Sequence, residues 1–274
     1  MKMFQTVNCF LLTVSFLFFA SISEAGLLNL KKNQDRVQKK TAAQPVQLVV
    51  GTKTPLIREN SLDGWTAIDG KIPGNAWRVE DGVLHLHGKG GDVMTDREYK
   101  NFVLDFTWTI AEGGNSGIKY RFKKYDGKGW LGLEYQVLDD FNSKEGKKPK
   151  NNTATLYDIL STNDSKILKP HEELNHGRIV VNGNRIEHWL NGKKVVDVLV
   201  GSERWKKAVA ASKFNDIAEF GENAVGRIMV QDHGCEVRFH DITIGEIIKT
   251  TAKSKHHGFL KRKYKINLCS ATVH

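Results

Sequence analysis

The sequence predicts an all-β domain, a sandwich or barrel of antiparallel strands. Short alternations of apolar and polar residues recur between Gln47 and Ile248, each closed by Gly, Asn or Asp. Helical periodicity is confined to a short stretch near Glu203 to Lys213. Asn-Gly pairs, which accept the positive φ angles of tight hairpins, separate several of the alternations. Many short strands with few helices indicate a sandwich or barrel.

The elements follow in order. Gly82 to Gly88 alternates around Val83, Leu84, His85 and Leu86. Phe102 to Ile110 sets Phe102, Leu104, Phe106 and Trp108 against Val103, Asp105, Thr107 and Thr109. Gly113 to Arg121 opens with Asn115 and Ser116, which suit the turn before a strand. Ile118, Tyr120 and Phe122 are then expected on one face, with Lys119 and Arg121 on the other. In Gly132 to Asp140, Leu133, Tyr135 and Val137 oppose Glu134, Gln136 and Leu138. Two such strands raise a polar groove on a packed core. Phe141 to Thr155 is a long loop rich in Lys, Asn and Gly, placed to border that groove. Arg178 to Val181, Arg185 to Leu190 and Lys193 to Val198 form a meander through Asn182-Gly183-Asn184 and Asn191-Gly192. Arg227 to Gln231 and Cys235 to Ile244 read as a last antiparallel pair, turned at Asp232-His233-Gly234.

Outside this region the chain reads differently. Lys2, the apolar run Phe10 to Ala20 and Ser23-Glu24-Ala25 before Gly26 have the form of a secretory leader over residues 1–25, implying a secreted or periplasmic protein. No later stretch is long and apolar enough for a membrane span, so none is expected once the leader is removed. Residues 26–46 read as a polar linker, 47–248 as the folded domain and 249–274 as a basic tail. The net charge is +10, but much of the excess sits in Lys31 to Lys40 and Lys249 to Lys265. With both signs interspersed in the middle and no base-reading motif, a nucleic-acid partner is not expected. Cys235 and Cys269 follow the leader; they do not make a disulfide framework, and nothing in the sequence requires that they pair.

Several segments together resemble the 3-keto-disaccharide hydrolase family, which is associated with 3-keto-glycoside lyases and hydratases. They are Leu62-Asp63-Gly64-Trp65, Trp77 to Leu84, Tyr99 to Leu104, Asn115-Ser116-Gly117-Ile118-Lys119-Tyr120 and Leu133 to Asp140. Leu156-Tyr157-Asp158, Arg185 to Gly192, Ser212-Lys213-Phe214 and Gln231-Asp232-His233-Gly234 complete the set. The resemblance implies a concanavalin A-like jelly roll of two curved antiparallel sheets, with sugar bound on the concave one. It also implies a substrate already oxidised at sugar carbon 3 by a separate dehydrogenase. A ketone there acidifies the C2 hydrogen; a base removes it, and the enolate expels the aglycone from C1. Addition of water to the enone completes a net hydrolysis. This needs a base and an oxyanion stabiliser, and neither a nicotinamide nor the carboxylate pair of ordinary retaining glycosidases.

Within this reading His233 is the first choice for the base, because an imidazole of ordinary pKa ~6.5 accepts a proton at neutral pH. Glu134 is an acid, base, metal ligand or partner of Lys119 or Arg121. Lys119 stands where it would face an enolate oxygen. Gln136, Asp139, Arg121, Tyr157 and Lys213 are candidates for sugar contacts; of Asp139 and Asp140, adjacent on one strand, only one is expected to face the groove. His188 reads as structural, and Trp189 and Trp130 as ring-stacking candidates or core. A divalent metal held by Glu134, Asp139 and His233 from separate strands is left open. Phe141-Asn142-Ser143 stands where relatives are expected to continue His-Pro-Asp, which leaves substrate preference and any metal open. Three rivals remain: a non-catalytic carbohydrate-binding module, a conventional glycoside hydrolase and a laminin-like interaction protein.

Overall fold

In the computed structural model, residues 47–251 are described. The leader, the linker, residues 252–274 of the basic tail and Cys269 lie outside them.

In chain order the strands are β1 (Gln47–Val50), β2 (Thr54–Pro55), β3 (Trp65–Ala67), β4 (Trp77–Glu80), β5 (Val83–Leu86), β6 (Val93–Thr95), β7 (Phe102–Ile110), β8 (Asn115–Tyr125), β9 (Gly129–Leu138), β10 (Asn175–Asn182), β11 (Arg185–Leu190), β12 (Lys193–Leu199), β13 (Met229–Val230) and β14 (Val237–Thr251). They form two antiparallel sheets, a sandwich as the alternation predicts and the jelly roll that the resemblance implies. The nine-stranded sheet runs β12-β11-β10-β7-β14-β5-β4, with β1 and β2 also pairing β14. The five-stranded sheet runs β3-β6-β13-β8-β9. β14 extends to Thr251, past the expected domain boundary at residue 248.

The core lies between the sheets. Phe102, Leu104, Phe106 and Trp108 of β7 meet Ile118, Tyr120, Leu133, Tyr135 and Val137 of β8 and β9, all fully or almost fully buried. Phe106 packs edge-on to Tyr135 at 5.1 Å between ring centroids. The alternation supplies one wholly apolar face per strand, and its burial drives the two sheets together.

The Asn-Gly turns have the expected geometry: Gly183 has φ +57, and Asn191 and Gly192 have φ +47 and +78. The expected helix is α1 (Glu203–Ala210), whose N-cap Ser202 accepts from the Trp205 backbone N–H.

Two local expectations are corrected. The first is parity in β8. The pairing Tyr120↔Leu133 is followed by Lys123↔Leu131, so a bulge occupies Arg121 and Phe122. Arg121 takes φ +49. The extra residue exchanges the faces of the pair. Phe122 joins Met94 and Met229 in a small apolar cluster on the outer face, while Arg121 is buried with its Nη2 donating to Gly183 O, on the β10–β11 turn of the other sheet. The second concerns β13 and β14, which are not a hairpin: β13 pairs β6 and β8 in the five-stranded sheet, and β14 belongs to the other. The Gln231–Glu236 segment therefore crosses between sheets. It runs beside a second crossing, Gly88–Asp92 between β5 and β6, and the Asp232 carboxylate accepts from Gly90 N and Gly91 N at 2.6 and 2.7 Å. Capture of that carboxylate by the neighbouring loop holds the segment away from a simple turn.

Candidate active site on the outer face of the five-stranded sheet

Strand pairing sets the first contacts. Lys119 lies opposite Glu134 on one side and Met229 on the other, and Gly117 lies opposite Gln136. Gln231 follows Met229 by two residues, so it arrives beside Gly117, whose carbonyl accepts from Gln231 N at 2.9 Å. A Cβ on Gly117 would sit 2.2 Å from a terminal amide atom of Gln231 and 3.1 Å from Glu134 Oε1. Only glycine leaves space there for two polar side chains to meet over the strand.

With its amide oriented to satisfy both neighbours, Gln231 donates to Glu134 Oε1 at 3.1 Å and accepts from Lys119 Nζ at 3.0 Å. Glu134 and Gln231 are buried, 7% and 5% exposed, while Lys119 is half-buried. Burial raises the Glu134 carboxyl above the ordinary range, against the pull of the Lys119 and Lys213 charges.

Lys213 enters from the segment after α1. Its backbone N donates to Asp158 Oδ2 at 2.6 Å, and its Nζ lies 4.2 Å from the centre of the Tyr157 ring. Tyr157 is itself fixed beside β9, its N–H donating to Glu134 O at 3.1 Å. Thr153 to Tyr157 thus runs along the edge of β9, with Leu156 bridged to Tyr135.

His233 is exposed on the sheet-crossing segment, at the turn where Asp232 Oδ1 accepts from Gly234 N at 2.6 Å. Partial burial of its ring lowers its pKa; the Asp92 carboxylate opposes this and the Lys119 charge adds to it. Asp92, Lys119 and Lys213 thus act on His233 and Glu134 alike. Asp92 is the member that the sequence reading missed. Its Oδ1 accepts from Asp232 N at 2.9 Å, which ties the two crossings together under the histidine. The run Gly88-Lys89-Gly90-Gly91 before it is the available signal, because paired glycines in a loop mark a close backbone approach.

The structure therefore brings His233, Glu134, Lys119, Tyr157 and Lys213 together. Gln136, two residues from Glu134 on the same face, is 1% exposed; it donates to Asn115 Oδ1 at 3.1 Å, and its Oε1 has no protein partner. Two candidates stand apart. Arg121 is turned off this face by the bulge. Asp139 is a loop clamp, accepting from Gly113 N and Asn142 Nδ2 at 2.8 Å each and from Phe141 N at 3.1 Å. Burial works against its charge, but these bonds outweigh burial and hold its pKa below the ordinary value. Asp140 is similarly engaged, by Thr153 N and Lys166 Nζ. His188 lies in the core between Tyr120 Oη and Ala154 O, its pKa lowered by burial to about 4. Trp189 stands on the other sheet, its indole donating to Glu187 Oε2; half-buried Trp130 stays on the site's face beside Phe122.

With the Asp139 oxygens taken, Glu134, Asp139 and His233 do not form a common ligand set. Among the described residues, the group of at least three His, Cys, Asp or Glu side chains whose ligand atoms converge is Glu80, His85 and His87, on the other sheet.

The profile of a family described as the 3-keto-alpha-glucoside-1,2-lyase-like domain matches residues 52–245. A Bacteroides thetaiotaomicron protein named 3-keto-disaccharide hydrolase is 31% identical over 217 residues, 67% of this chain and 74% of that one. A crystal structure of a Parabacteroides distasonis protein, provisionally assigned as a glycosyl hydrolase, aligns at 30% identity with a TM-score of 0.63, covering 71% of this chain and 93% of that one. A second such structure from the same organism aligns at 29% identity with a TM-score of 0.57, covering 71% and 98%.

Proposed function

This chain belongs to the 3-keto-disaccharide hydrolase family, and we propose that it cleaves 3-keto-glycosides by elimination across C1 and C2. At the coarser level it is a carbohydrate-active enzyme of the glycoside hydrolase class. The observation that supports the finer reading best is the Lys119–Gln231–Glu134 hydrogen-bonded set with His233 and Lys213 beside it.

Each residue has a role in that chemistry. His233 takes the C2 proton; partial burial of its ring lowers its pKa, which favours the neutral imidazole that can accept. The electron pair of the C–H bond moves into a C2–C3 double bond, and the negative charge passes to the C3 oxygen. Lys119, fixed by Gln231, supplies positive charge where that oxyanion develops. The enolate collapses, the C1–oxygen bond breaks, and the aglycone leaves with the pair. Glu134, its carboxyl raised by burial, protonates the departing oxygen. Water then adds across the enone, giving net hydrolysis. Lys213 over the Tyr157 ring is suited to sugar hydroxyls, while Gln136 lies buried beneath the groove surface. Among the described residues, the groove does not gather three converging His, Cys, Asp or Glu ligand atoms. The ketone is supplied upstream by a sugar 3-dehydrogenase, and the leader-like first residues suit encounter with substrate outside the cytoplasm.

The test is aglycone release from a 3-keto-glucoside and from its unoxidised parent, with His233→Ala in parallel and with and without chelator. Release from the keto form alone, lost in the variant, supports elimination. Release from the unoxidised parent points to conventional hydrolysis, and saturable sugar binding without release points to a binding module.

A further inference from the structure

Away from this groove, the outer face of the nine-stranded sheet carries a convergence of ligand-type side chains. His85 and His87 are two apart at the end of β5, so both rings leave the same face. On β4, Arg78 pairs with His85 and Glu80 with Val83, which puts Glu80 on that face as well. One ligand atom from each of Glu80, His85 and His87 lies within 4.8 Å of the others. Glu80 Oε2 is 3.7 Å from His85 Nδ1 and 3.8 Å from His87 Nε2.

These separations are informative. They exceed the roughly 2.7–3.2 Å of a hydrogen bond. They approach the roughly 3.3–3.5 Å between neighbouring ligand atoms that bonds of about 2.0–2.1 Å impose in a tetrahedral site. The two imidazoles crowd together, ring centroids 3.4 Å apart, around a carboxylate that hydrogen-bonds to neither.

The far nitrogen of His85 is already occupied. Its Nε2 lies 2.9 Å from Glu236 Oε1 on the segment leading into β14. In the tautomer that this shorter contact to a carboxylate favours, Nε2 carries the proton and donates, and Nδ1 keeps its lone pair toward Glu80. A carboxylate behind a histidine is the usual outer support of a metal-ligating imidazole. Arg238 Nε, which can only donate, lies 3.2 Å from the same Nε2 and favours the other tautomer; the Glu236 contact is the shorter of the two, and Glu236 Oε1 also accepts from Arg238 Nη2 at 2.8 Å. His85 is buried and fixed, whereas Glu80 and His87 are exposed and open to an ion in solution.

We propose that Glu80, His85 and His87 bind one divalent transition-metal ion of the zinc class, with Glu236 orienting His85. Two imidazoles and one carboxylate suit zinc, nickel or cobalt better than calcium or magnesium. The ion would clamp the β4–β5 edge, on a different sheet from the groove, with the fourth position left to solvent.

The test uses the untagged full-length protein with zinc alone, by equilibrium dialysis and metal analysis, and with cobalt for its visible ligand-field absorption. The expected result is one zinc per chain, a rise in thermal midpoint with zinc, and a cobalt spectrum of tetrahedral intensity. His87→Ala and Glu80→Gln, both at exposed positions, should abolish the spectrum and the midpoint shift. Glu236→Gln should weaken binding by about 10- to 100-fold, the size of a lost outer-shell partner. His233→Ala should bind zinc like the parent. The proposal is overturned if the parent binds no zinc at micromolar free metal, if both His87→Ala and Glu80→Gln bind as the parent does, or if His233→Ala is the variant that loses the ion.

Discussion

Gly117→Ala tests whether the polar set over β8 is what the chemistry depends on. The backbone at 117 does not have a positive φ, so alanine meets no conformational penalty there. Its methyl group would instead stand 2.2 Å from the Gln231 amide and 3.1 Å from Glu134 Oε1, and the amide must move. Movement breaks the bonds of 3.1 Å to Glu134 and 3.0 Å to Lys119. A hydrogen bond to a charged group contributes about 1.5–3 kcal/mol. Loss of one such bond from the transition state alone lowers kcat/KM by about 10- to 150-fold, at 1.36 kcal/mol per tenfold. Overpacking separately destabilises the fold by about 1–3 kcal/mol. The two effects separate in a double-mutant cycle. Gln231→Ala removes the same bonds without a clash, and Gly117→Ala with Gln231→Ala should recover stability but not activity. The assay is kcat/KM on a 3-keto-glucoside beside the urea midpoint. A Gly117→Ala enzyme that retains full activity while losing stability would refute the reasoning, because the hydrogen-bonded set would then be packing and not machinery.

Four further outcomes are expected. His233→Ala should lower kcat by about 10²- to 10⁴-fold with the urea midpoint unchanged, and in the parent the acid limb of kcat/KM should lie below the ordinary histidine value of ~6.5, since burial depresses the imidazole and activity is lost only as pH falls through the folded value. Lys119→Met should remove most activity while Arg121→Met retains it, because the bulge turns Arg121 toward Gly183; equal losses in steady-state assays would contradict the face exchange. Asp139→Asn should cost about 1–3 kcal/mol of stability through the loop it clamps and leave kcat near that of the parent. His188 is neutral in the fold to about pH 4 but protonates near 6.5 when unfolded, so its contribution is whole above 6.5 and falls by on the order of 3 kcal/mol toward pH 4, a slope in urea midpoint against pH that His188→Gln should flatten.

The fold was legible in the sequence wherever two neighbours suffice to fix a conformation. Alternation over nine residues gives β7 its two faces, and Asn-Gly at 182–183 and 191–192 gives the meander its turns. Of the site, the strand-borne members were legible for the same reason: Lys119 and Glu134 follow from the parity of β8 and β9. What failed needed a partner distant in the chain. Parity holds only while the ladder is regular, and one extra residue at Arg121 and Phe122 reverses it. The switch of sheet after β13 depends on Asp232 meeting the Gly90 and Gly91 amides some 140 residues earlier, which no local pattern contains. Asp92 escaped for that reason as well.

Meetings between segments, distant for Gly117 and nearer in the chain for Gly132 and Gly90, leave the same trace. Gly117 has no room for a Cβ because Gln231 and Glu134 lie over it. Gly132 has none because Phe122, on the bulged strand opposite, comes within 2.5 Å of where it would be. Gly90 has none because the Trp77 ring is 2.8 Å away, and Trp77 Nε1 also donates to Gly91 O. A glycine inside an alternating strand, or ahead of an acid in a loop, therefore marks where another part of the chain arrives, without saying which part. In this protein the three mark the polar set, the bulge that removes Arg121 from it, and the loop that brings Asp92 and anchors His233. The chemistry-bearing residues are thus supplied by strand parity, and the glycines set which of them can meet.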